Sequence, residues 1–102
     1  MSEIVEIYGF GSFFRERTEF HDIDILIIHR STQYESCQFA IWCKRMLLSI
    51  RADAHVSILS ESEEHQITFL SKSNALRLGE IRKLSAEDDL QAIVEQIDRV
   101  CT

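Results

Sequence analysis

Tyr8-Gly9-Phe10-Gly11-Ser12, then nine residues, then Asp22-Ile23-Asp24-Ile25-Leu26-Ile27-Ile28-His29: this stretch decides the fold. Ile4 to Tyr8 reads as a mostly buried strand, because Ile4, Val5 and Ile7 are all apolar and strict alternation is blurred. Gly9 to Gly11 reads as a turn, and Ser12 as the cap of a short helix to about Arg17. The chain has three glycines, and two of them stand just before Ser12. Asp22 to His29 is short and β-branched, which predicts a second strand. A glycine–serine turn opening a helix, followed by two aspartates on an apolar strand, predicts a place to hold a phosphate chain beside a divalent metal.

The chemistry follows from spacing. Residues two apart on a strand point to one face, so Asp22 and Asp24 project together while Ile23, Ile25 and Ile27 face the other way. Two carboxylates that close raise each other's pKa unless a cation sits between them. Magnesium takes oxygen ligands and binds one or two carboxylates together with substrate phosphates. Glycines permit close backbone approach, and free N–H groups at a helix start favour an anion. The best candidate for a third carboxylate is Asp53, which opens the strand reading Asp53-Ala54-His55-Val56-Ser57-Ile58. There Asp53, His55 and Ser57 share the face opposite Ala54, Val56 and Ile58. A carboxylate on a neighbouring strand can take the proton from an attacking hydroxyl.

Beyond this stretch the chain continues as alternating elements. Tyr34 to Arg51 is the longest helix candidate, with Cys37, Ala40, Ile41, Leu47 and Leu48 on one stripe, widened by Phe39, Trp42, Met46 and Ile50. Asp53 to Leu59 is the third strand. Ser60-Glu61-Ser62-Glu63 matches a capping box and predicts a helix to about Leu70. Ser71 to Asn74 is a polar break, and Leu76 and Leu78 suggest a short edge strand before Gly79. Ser85-Ala86-Glu87-Asp88 opens a last helix with the stripe Leu90, Ile93, Val94, Ile97 and Val100. The order predicts an α/β (α+β) domain with helices packed on a small sheet.

Composition bounds the rest. A chain of 102 residues, 45% of them apolar, has material for one domain and one core. No apolar run reaches the length of a membrane span, and Met1-Ser2-Glu3-Ile4 does not read as a signal peptide. Three cysteines, Cys37, Cys43 and Cys101, lack metal-type spacing and read as thiols in a reducing cytoplasm. A formal charge of −6 opposes non-specific nucleic-acid binding but not the local capture of a nucleotide. Leu26 and Ile28 share the face of the aspartates, so something must cover part of that face: a loop, the last helix, a second copy or another protein.

Gly11-Ser12, nine residues, then Asp22-Ile23-Asp24 resembles the signature of the DNA polymerase β-like nucleotidyltransferase superfamily, and the short chain resembles its minimal nucleotidyltransferases. The resemblance is good over residues 4–59 and looser beyond. It implies a polymerase β-like palm, a small mixed sheet with helices on one face. It implies that Gly11 and Ser12 contact the triphosphate of ATP or another NTP, with Arg15 and Arg17 as further phosphate contacts. It implies that Asp22 and Asp24 ligate Mg2+ and that Asp53 is the third metal ligand, assisting the acceptor hydroxyl. Minimal members generally lack a substrate-binding domain, which implies a partner, often a helical HEPN-type toxin that the enzyme neutralises by AMPylation, or else a homo-oligomer. The chain departs from the pattern at Glu16, where a glycine often stands. That departure favours an alternative: a catalytically degenerate member serving as a binding or antitoxin subunit.

Overall fold

The computed structural model describes residues 2–11 and 23–101. Four strands form one mixed sheet: β1 (Ile4–Phe10), β2 (Ile23–His29), β3 (Ala54–Ser60) and β4 (Leu76–Arg82), in the order β3-β2-β1-β4. β1 runs antiparallel to both β2 and β4, and β2 runs parallel to β3. The described helices are α1 (Tyr34–Ile50), α2 (Glu61–Ile67), α3 (Phe69–Ser73) and α4 (Ala86–Cys101), with a 3-10 turn at Lys83–Ser85 before the last. α1 is the crossover that a parallel β2–β3 pair requires. The mixed sheet and its helices are the α+β architecture expected.

Strand parity places the core. Val5, Ile7, Ile23, Ile25, Ile27, Ala54, Val56 and Ile81 point to one face and are buried there. Phe39, Ala40, Cys43 and Leu47 of α1 cover them, with Leu90, Ile93, Val94 and Ile97 of α4. Burying each large aliphatic side chain contributes about 1.5–3 kcal/mol. The α4 stripe is the one expected at Leu90, Ile93, Val94 and Ile97. The α1 stripe is the expected one in part: Phe39, Ala40 and Leu47 are buried and Trp42, Met46 and Leu48 pack against the core, but Ser36 and Cys43 are buried with them while Ile41 and Ile50 stay exposed. The buried Ser36 hydroxyl accepts from the Ser31 N–H at 3.1 Å and lies 2.9 Å from His29 Nδ1, so this face is anchored by a polar residue.

Three boundaries differ from expectation. β1 runs on through Gly9 to Phe10 instead of turning at Gly9. α2 stops at Ile67 because Thr68 takes a left-handed φ of 48°, and α3 restarts across the stretch read as a polar break. β4 continues past Gly79 to Arg82. A Cβ at Gly79 would stand 2.7 Å from Ile93 Cδ1, so glycine there lets α4 pack closely on the strand. The capping box is present as read: Ser60 Oγ accepts from the Glu63 N–H, and the Glu63 carboxylate accepts from the Ser60 N–H at 2.9 Å.

Candidate active site

Phe10 and Asp24 are register partners on the antiparallel strands β1 and β2. Gly11, just past the end of β1, has φ 83°, the left-handed region that glycine enters without a Cβ clash. A Cβ built on Gly11 would stand 2.6 Å from Asp24 Oδ2. The glycine before Ser12 and the second aspartate of the pair are therefore held together, backbone against carboxylate. Asp22, Ser12, Arg15, Arg17 and Glu16 lie outside the described residues, as does the short helix expected from Ser12.

Register and parity define the rest of this face. Asp24 shares it with Leu26 and Ile28 of β2, His55, Ser57 and Leu59 of β3, and Glu6, Tyr8 and Phe10 of β1. His55 is the cross-strand partner of Asp24, so it belongs to the site face and not to a remote surface. Leu26 and Ile28 are buried although they face away from the main core. The cover is α2–α3: α2 packs against β2 and β3, and α3 brings Phe69 edge-on to Phe10, with ring centroids 4.9 Å apart. The Tyr8 hydroxyl donates to Glu6 Oε2 at 3.1 Å. Burial, then the Glu6 charge, pushes the Tyr8 phenol above its ordinary value, and Arg77 opposes that shift. Arg77 is the register partner of Tyr8 on β4, and Glu80 lies 3.9 Å from its guanidinium. Sequence reasoning missed Tyr8 and Arg77. Parity along β1 carried the signal for Tyr8, but the irregularity between Ile7 and Tyr8 in the β1–β4 register hid Arg77.

Asp53 sits in the turn before β3. Its carboxylate accepts from Arg51 Nε at 3.1 Å and from Arg51 Nη2 at 3.0 Å, and Arg51 Nη1 reaches Asp98 of α4 at 2.8 Å. The Arg51 hydrogen bonds hold the Asp53 carboxyl below its ordinary value of 3.8. Asp53 does not open the strand as expected: β3 begins at Ala54, so strand parity does not aim the Asp53 side chain, which is engaged by Arg51.

A divalent metal with nucleotide fits the part of the site described here. Asp24 offers oxygen donors, which a hard cation prefers, and the missing Gly11 side chain leaves space beside Oδ2. Among the described residues no three His, Cys, Asp or Glu side chains gather as a metal site, so Asp24 would need Asp22, substrate oxygens or water to complete a shell.

No described helix is long and apolar enough to cross a membrane. No curated protein and no solved structure matches the chain. A family model does: the nucleotidyltransferase domain, over residues 1–95. With that match spanning nearly the whole length, the chain belongs to the nucleotidyltransferase domain family.

Proposed function

We propose that this protein is a magnesium-dependent enzyme transferring a nucleotidyl group, AMP from ATP, to a hydroxyl of a protein or small molecule. The observation that carries this reading is the closeness of Gly11 to Asp24, where an added Cβ would stand 2.6 Å from Oδ2. It supports a site in which an open backbone turn lies beside a carboxylate oxygen of the kind that ligates a hard cation. The Gly11–Ser12 turn would bind the β- and γ-phosphates, with Arg15 and Arg17 neutralising charge. Asp22 and Asp24 would hold the metal, which when bound offsets charge on the α-phosphate and the departing oxygen. The acceptor oxygen forms a bond to the α-phosphorus in line as the bond to the bridging oxygen breaks, and pyrophosphate leaves. The hydroxyl proton passes to a carboxylate, for which Asp53 is the candidate once Arg51 releases it. Positioning and charge neutralisation supply most of the acceleration.

The family resemblance supports a protein acceptor, such as a tyrosine hydroxyl on a HEPN-type helical toxin, in a cytoplasmic toxin–antitoxin pair. One observation favours a second reading, a nucleotide-binding subunit without turnover: the Asp53 carboxylate is already engaged by Arg51. The deciding experiment is label transfer from α-labelled ATP to co-expressed neighbouring proteins and to small hydroxyl acceptors, with magnesium present. Magnesium-dependent transfer that is lost in Asp24→Asn is the expected result. ATP binding by calorimetry without transfer would establish the second reading, and no binding would overturn both.

A further inference from the structure

We propose that the hollow beside Trp42 is the docking site for a second copy of this chain, turned by a two-fold axis. It lies between α1 and the turn that leads into α4, on the side of the sheet that α1 and α4 cover, opposite the face of Asp24. Its volume is about 470 Å3, and Phe39, Ile41, Trp42 and Tyr34 form its apolar wall. Phe39 and Trp42 stack with centroids 6.0 Å apart, so that wall is flat and stiff. Beside the hollow, on the 3-10 turn, Leu84 projects with 88% of its surface exposed, and Tyr34 and Ile41 at the hollow's edge are 75% and 36% exposed. Solvated apolar side chains gathered at one groove mark an interaction surface.

Self-complementarity identifies the occupant. An isologous contact needs a surface that carries both halves of the fit. Here the projecting Leu84 stands next to a hollow large enough to receive it. Charge repeats the pattern. Arg45 and Lys83 outnumber Glu35 in the lining of the first hollow, and Glu87 and Asp88 outnumber Lys83 in an adjoining one that shares Trp42, Lys83 and Ala86. None of these five charged side chains makes an ion pair among the described residues. Rotation about a two-fold sets Leu84 over the partner copy's Trp42 wall and brings cationic and acidic rims together. The projecting turn is pinned beforehand: the Lys83 N–H donates to the Glu3 carbonyl at 2.9 Å, and the Ser85 hydroxyl donates to Asp89 Oδ2 at 2.9 Å. Such preorganisation lowers the cost of docking. At physiological salt the Debye length is about 8 Å, which screens the long-range repulsion between two chains of net charge −6.

The test is sedimentation velocity on the full chain from low to high micromolar concentration. Wild type is expected to dimerise. Leu84→Asp is expected to weaken the dimer at least about tenfold, with unchanged circular dichroism and melting because Leu84 is exposed. Lys83→Glu should weaken it as well, and Lys83→Glu combined with Glu87→Lys should restore it. A wild-type chain that stays monomeric throughout overturns the proposal, and so does a folded Leu84→Asp variant that dimerises like wild type. A double variant that fails to recover overturns the two-fold docking.

Discussion

At the scale of single residues, two positions carry most of the chemistry argued above, and one was more legible than the other. Gly11 could be read from sequence because glycine is rare in this chain and precedes a serine. What could not be read was its distance to Asp24, which depends on strand register. Gly11→Ala tests that distance directly. The added Cβ would meet Asp24 Oδ2 at 2.6 Å in a left-handed backbone, costing about 1–2 kcal/mol in a urea melt. Nucleotide transfer should fall with it. Asp24→Asn keeps the shape but removes the charge, so turnover is expected to drop about a hundredfold or more with the melt unchanged. Cys43 illustrates a buried group outside the site. Burial pushes its thiol from 9.0 up to about 12. Above pH 9 the unfolded chain loses this proton while the folded chain keeps it, so the unfolded state binds fewer protons and stability falls with rising pH. Denaturant melts between pH 8 and pH 10 should show that decline, and Cys43→Ala should reduce it after correction for its lower starting stability.

At the scale of elements, local chemistry was read well and long-range packing was not. The capping box at Ser60–Glu63 is contained in four residues, so sequence alone located the start of α2. Ser60→Ala removes the hydroxyl that accepts from the Glu63 N–H and is expected to cost about 1 kcal/mol, with faster hydrogen exchange at that amide. Periodicity finds most of the buried stripe of α1 but misses Ser36, a polar residue satisfied by His29 and Ser31. An apolar pattern cannot announce a buried hydroxyl. Ile41 was drawn into the expected stripe for the same reason, and it instead borders the Trp42 hollow. Thr68 in a left-handed conformation ended α2 early, a turn signal that neither glycine nor proline marked.

At the scale of the whole molecule, the sheet order brings together residues that no local pattern relates. Arg51, at the end of α1, holds Asp53 before β3 and Asp98 on α4, 47 residues away in sequence. That clasp joins the crossover helix, the site-side strand and the last helix. The parity that recommended Asp53 as a site residue assumed a strand that in fact begins at Ala54, and parity says nothing about a guanidinium arriving from the preceding helix. Arg51→Gln resolves the two demands on Asp53. All three side chains are partly exposed, so the loss of the ion pairs is expected to cost only about 1 kcal/mol. Its pH signature has a definite sign. Arg51 lowers the Asp53 pKa, so the wild-type contribution is present above 3.8 and is lost as pH falls through the lower folded value. The variant should lack that part of the acid transition, and high salt should shrink the difference between the two proteins. Freed from Arg51, Asp53 is expected to raise magnesium affinity in the presence of ATP, measured by calorimetry. Unchanged affinity in a folded Arg51→Gln protein would assign Asp53 to the clasp alone and leave Asp22 and Asp24 as the carboxylates of the site.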